Sequence, residues 1–153
     1  MKNFFAVVCL ASFAAACGGD SSMSPSAPTV PMSVTGAWAG IGSASGSAMG
    51  QADMGTMTWQ LTQSGSTVTG TMSFSGSGMQ GRMPGLFLGT MSGDDMTFAM
   101  DMPATSMMSS GCSSRATGTA HVNRTTMAMT GTFSGSNSCS GAFASGPMTM
   151  NRR

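Results

Sequence analysis

The chain has 153 residues, six Lys or Arg against five Asp, and a formal net charge of +1, with only 7% of residues charged. A charge so sparse and so scattered excludes the basic footprint that nucleic-acid binding requires. Glutamate and tyrosine are absent and His121 is the only histidine, while Gly, Ser and Thr abound; strands and turns are therefore expected rather than helices.

The N-terminus reads Met1-Lys2-Asn3, then an apolar run over residues 4–13, then Ala14-Ala15-Ala16-Cys17. A positive start, a short apolar stretch and small residues before a cut describe a secretory signal over residues 1–16. The run is about half the length that a helix needs to cross a bilayer. Ending in small residues and cysteine, it resembles the bacterial lipoprotein signal, with Ala14 where leucine is commonest. That resemblance implies that Cys17 carries a lipid and that the membrane is a partner through it. Cleavage after Ala14-x-Ala16 by the ordinary signal peptidase is the alternative and would give a soluble secreted or periplasmic protein. Gly18 follows Cys17 where an inner-membrane retention signal has aspartate, so the outer membrane is the expected destination.

Of the four cysteines, Cys9 leaves with the signal and Cys17 takes the lipid. Cys112 and Cys139 remain, an even pair in an oxidising compartment, and are expected to form a disulfide.

Residues 17–34 contain several prolines and few apolar side chains, so they read as a flexible tether. Residues 35–153 form the expected domain. Short alternating segments predict eight strands, over residues 35–42, 55–63, 67–75, 85–92, 95–102, 114–122, 125–134 and 142–150. Met57, Trp59 and Leu61 take one face and Thr58, Gln60 and Thr62 the other; Met96, Phe98, Met100 and Met102 repeat the pattern. Ser64-Gly65-Ser66, Ser92-Gly93-Asp94 and Asn123-Arg124 supply tight turns. Consecutive hairpins without helical crossovers give an antiparallel meander.

A unit of apolar-Thr-Gly-small-apolar residues recurs as Val34-Thr35-Gly36-Ala37-Trp38, Val68-Thr69-Gly70-Thr71-Met72, Ala116-Thr117-Gly118-Thr119-Ala120 and Met129-Thr130-Gly131-Thr132-Phe133. Its glycines share parity with large apolar neighbours, which lets strands bend and close a narrow eight-stranded up-and-down barrel. In such a meander the start of strand six and the end of strand seven lie together, which brings Cys112 to Cys139. The chain resembles the calycin superfamily, the lipocalin-like and avidin-like barrels, through Gly36-Ala37-Trp38 early and Arg152 or Arg153 late. That resemblance implies that Arg152 packs over Trp38 and closes the barrel base by cation–π contact.

Nineteen methionines are the oddity of the composition. Met100-x-Met102, Met127-x-Met129 and Met148-x-Met150 each place two thioethers on one strand face, suited to Cu(I), with His121 and Trp59 as further partners. Methionine as an adaptable core filler is the simpler reading. Met107 and Met108 could absorb oxidants at the surface. His121 falls on the outer face as a solvated side chain, and Asp94-Asp95 in a turn, where aspartate bonds its own backbone. With one histidine, no glutamate and no spare thiol, no catalytic residues and no cofactor are expected.

The leading functional expectation is a monomeric, non-catalytic barrel that binds a small apolar ligand in its mouth, with Trp59, Met72, Phe98 and Met129 as candidate contacts. The alternative is a structural or inhibitor-like lipoprotein that meets an envelope protein through its surface and the loops over residues 43–53 and 103–111. Cu(I) binding is the third reading.

Overall fold

Alternation of apolar and hydroxyl-bearing residues builds eight strands: β1 (Gly36–Gly46), β2 (Asp53–Ser64), β3 (Thr67–Gly76), β4 (Met83–Ser92), β5 (Asp95–Met102), β6 (Ser114–Asn123), β7 (Ala128–Asn137) and β8 (Gly141–Arg152). The structure, a computed structural model, describes residues 32–46, 53–76, 82–104 and 111–153. Each strand pairs antiparallel with the next, and β8 returns to β1, so the meander closes into a barrel with no free edge.

Strand seven starts later than its sequence pattern suggests. Residues 124–127 form a turn because the Asn123 side-chain oxygen accepts from the amides of Thr125 (2.9 Å) and Thr126 (3.0 Å). Met127 then reverses the chain at a φ of 53°. The local Asn hydrogen bonds outcompete the ladder there. Met127 consequently does not share a strand face with Met129.

One face of every strand supplies the core. Trp38, Met57, Trp59, Leu61, Val68, Phe87, Met96, Phe98, Met129 and Met150 belong to one continuous buried cluster. The outer face carries hydroxyls: Thr67, Thr90, Thr97, Thr119 and Thr132 stand in register across five adjacent strands and all are exposed. This arrangement is the inverse of a membrane-spanning barrel, whose apolar band faces lipid.

The inward glycines let neighbouring backbones approach. A Cβ on Gly131 would come far inside van der Waals contact with the Thr119 carbonyl oxygen, and one on Gly40 with that of Thr149. Aromatic rings fill the space a side chain would have taken, Phe98 over Gly118 and Phe143 over Gly135. Cys112 and Cys139 form a disulfide with a Cα–Cα distance of 5.7 Å. Beside it, a register shift between Phe133 and Gly135 in the β7–β8 ladder absorbs the unequal lengths.

Two stability measurements check this account. Gly131→Ala should cost about 3 kcal/mol, the upper part of the overpacking range, because the obstacle is backbone. Thr132→Ala, one residue on and exposed, should stay within about 0.5 kcal/mol; equal urea midpoints for the two would refute the close-approach argument. Replacing Cys112 and Cys139 together by alanine should lower stability by about 3.5 kcal/mol through chain entropy.

Candidate functional site

The two ends of the barrel differ. At one end lie the β2–β3, β4–β5 and β6–β7 turns together with the start of β1 and the end of β8. Here the segment before β1 folds back across the base. Val34, placed by its sequence context in the tether, is fully buried, and Met32 packs partly against the core. The Val34 amide donates to Gln63 Oε1 (2.8 Å), the Gln63 amide to Thr35 Oγ1 (2.9 Å), and Gln63 Nε2 to the Gly65 carbonyl (2.9 Å). Trp38 Nε1 donates to the Val34 carbonyl at 2.8 Å. Arg152 stands opposite Trp38 in the β1–β8 ladder; its Nη2 donates to the Thr35 carbonyl (2.6 Å) and its guanidinium lies against the open side of Gly36. The contacts of Arg152 thus run to the backbone that covers the base. We call this the sealed end.

At mid-barrel Trp59 lies 4.7 Å from Phe87 and 5.4 Å from Phe98, centroid to centroid, and the two phenylalanines stack at 5.4 Å. Met72 is the ladder partner of Trp59. Three of the four candidate contacts therefore meet. Met129 does not join them, for it sits between Val122 and Met150 near the start of β7, toward the sealed end. Trp59 is 2% exposed, and its Nε1 is the one buried side-chain nitrogen or oxygen among the described residues with no hydrogen-bond partner. Leaving such a donor unmet costs about 1–3 kcal/mol.

The opposite end carries the β1–β2, β3–β4 and β5–β6 connections and the β7–β8 turn. Its inner wall is soft and apolar. Met83 and Met102 are buried at the ends of β4 and β5, and Phe74 and Phe143 are half-buried against the core. Met72 Sδ and Met102 Cγ both border the space left by Gly85. Ser114 is the only buried polar side chain among the described residues, and its Oγ accepts from Asn137 Nδ2 at 2.7 Å. We call this the mouth.

Charged groups stay outside and pair across neighbouring strands. His121 is exposed, as its parity requires, yet it is not solitary: its Nδ1 lies 2.8 Å from Asp95 Oδ1, directly opposite in the β5–β6 ladder. Asp94 bonds Arg124 rather than its own turn, taking Nε at 2.7 and 2.8 Å on its two oxygens. Arg115 faces Asp101 at 3.4 Å. Register created these pairs, and parity alone gave no sign of them.

The positions also bear on the copper reading. Met100, Met102, Met129, Met148 and Met150 face the core, whereas His121 is outside the barrel, so His121 and Trp59 cannot complete one site. No group of three or more His, Cys, Asp or Glu among the described residues could hold a metal. Met107 and Met108, the expected signal over residues 1–16, Cys17 and most of the expected tether lie outside the described residues, as do the centres of the two loops. Gln63 carries no sequence signal, and Val34 and Phe87 enter the sequence reading only through the repeat, not as site residues. Phe87 carries the Thr-Gly repeat signal only in its near copy, Phe87-Leu88-Gly89-Thr90-Met91.

The chain is thus an apolar-cored antiparallel barrel of eight strands, sealed at one end and soft-walled at the other. No protein-family model, no curated protein and no solved structure matches it.

The Arg124 hydrogen bond, and secondarily its charge, hold the Asp94 carboxyl below its ordinary value. A carboxyl depressed in the folded state stabilises above the unfolded value, and that contribution disappears as pH falls through the folded one. NMR titration should find Asp94 below an unpaired aspartate and moved upward in Arg124→Gln. An unchanged value would show that the pair does not persist in solution.

Proposed function

We propose that this chain is a lipid-anchored, non-catalytic protein of the bacterial envelope whose barrel takes up a small apolar ligand through its mouth. The observation that carries this reading is the difference between the two ends. Val34, Gln63, Trp38 and Arg152 cover the base with hydrogen bonds, while Met83, Met102, Phe74 and Phe143 offer the opposite end an apolar wall. Thioethers adapt their shape to a guest at little cost. The lipobox-like run ending at Cys17 supports the anchor, and Gly18 supports the outer membrane as its site. Fourteen residues lie between Cys17 and Met32, which enters at the sealed end, so an anchor there ties down the base and leaves the mouth free.

A second reading, action through the outer surface, is favoured by Leu86 and Leu88, which are 65% and 58% exposed on β4. They border grooves of about 540 and 530 Å³ that run past Ala99 and Thr117.

Native mass spectrometry of the full chain, extracted from a bacterial envelope in mild detergent, separates the readings. The expected result is a mass starting at Cys17 with acyl groups, a disulfide, and a retained apolar molecule. A bare protein that takes up no added apolar compound would overturn the ligand reading and leave the outer face as the working surface. A soluble form with an unmodified Cys17 would overturn the anchor.

A further inference from the structure

The two tryptophans of the barrel are ladder partners, Trp38 on β1 against Trp59 on β2, yet their indoles are treated differently. Trp38 Nε1 has the Val34 carbonyl at 2.8 Å; Trp59 Nε1 has nothing. Buried tryptophan normally finds an acceptor, and native structures rarely orphan a donor.

A trapped water is a poor answer. Water needs two to four polar partners to settle in an interior. Among the described residues the only buried polar side chain is Ser114, already engaged by Asn137. Phe87 and Phe98 lie against the indole, and Met72 is its ladder partner on β3. One unmet donor in an apolar setting matches a guest with one acceptor atom and an apolar body.

Charge narrows the guest further. Arg82, Arg115, Arg124, Arg152, Arg153 and His121 are all exposed, so no cation among the described residues faces the interior. An anionic head group would be buried there without compensation.

We propose that Trp59 Nε1 is the specificity donor of the barrel, selecting neutral apolar molecules with one acceptor oxygen, such as an ester or ketone, over fatty-acid anions and plain hydrocarbons. This inference rests on the mouth-binding reading above. It adds the ligand class and the residue that chooses it.

The test uses the full chain in mild detergent with three probes of similar size: methyl laurate, laurate and tridecane. Calorimetry should find methyl laurate bound about tenfold tighter than tridecane, the worth of one net hydrogen bond, with laurate the weakest. In Trp59→Phe the ester and the alkane should bind equally, at the alkane's original affinity. The indole N–H resonance of Trp59 in the unmodified protein should move downfield with the ester and stay put with the alkane, a readout that needs no variant. Equal binding of ester and alkane, a tighter laurate, or an unmoved resonance would overturn the donor role and assign the N–H to its aromatic neighbours, with the binding reading intact. If none of the three binds, both the mouth-binding reading and this inference fall.

Discussion

Closure of this barrel depends on strand backbones approaching one another on the inside, where side chains would ordinarily hold them apart. Inward positions such as Gly40 and Gly131 face the carbonyl oxygen of a neighbouring strand so closely that any Cβ would collide with it. Glycine in a strand is entropically costly and packs nothing. The cost is offset because closure removes both free edges and lets one apolar cluster run the length of the barrel. Rings laid over neighbouring glycines recover part of the lost packing. The disulfide then pins β6 to β7 at the mouth, the end away from the hydrogen-bonded base.

Polar groups follow from the same geometry. A closed ladder satisfies the strand amides, so the remaining polar demand in the interior comes from a few side chains. Trp38 is answered by the chain folding back at Val34, and Ser114 by Asn137. Trp59 lies beyond the reach of either device, in the aromatic middle of the barrel. The covered base and the unanswered indole are therefore linked: the segment that satisfies one tryptophan ends before the other. Methionine suits the walls between them because an unbranched thioether can fill the irregular spaces left by glycine.

On the outside, scarce charge is spent in cross-strand pairs. Asp94 with Arg124 and Asp95 with His121 tie the β4–β5 hairpin to the β6–β7 hairpin at the sealed end. These pairs are exposed and individually weak. Their placement is what register makes of two turns that are distant in sequence. Elsewhere the exterior carries rows of threonine and serine, the Arg115–Asp101 pair, and exposed apolar side chains at Ile41, Met54, Leu86 and Leu88.

Periodicity and turn chemistry were enough to give eight strands, their order and their inner faces, because alternation with a period of two and Gly-containing turns are local properties of the chain. The Thr-Gly repeat announced closure, and cysteine arithmetic announced the Cys112–Cys139 bridge. The start of β7 was misjudged because a side-chain hydrogen bond from Asn123 competes with the ladder, and alternation carries no trace of it. Only the tertiary structure decided that Val34 belongs to the core, that His121 meets Asp95, that Met129 stands apart from Trp59, and that one indole lacks an acceptor. Each of these depends on how far one strand is shifted against the next or how the chain crosses the barrel end. Parity tells which face a residue takes, but the neighbour it meets there is fixed by register and closure.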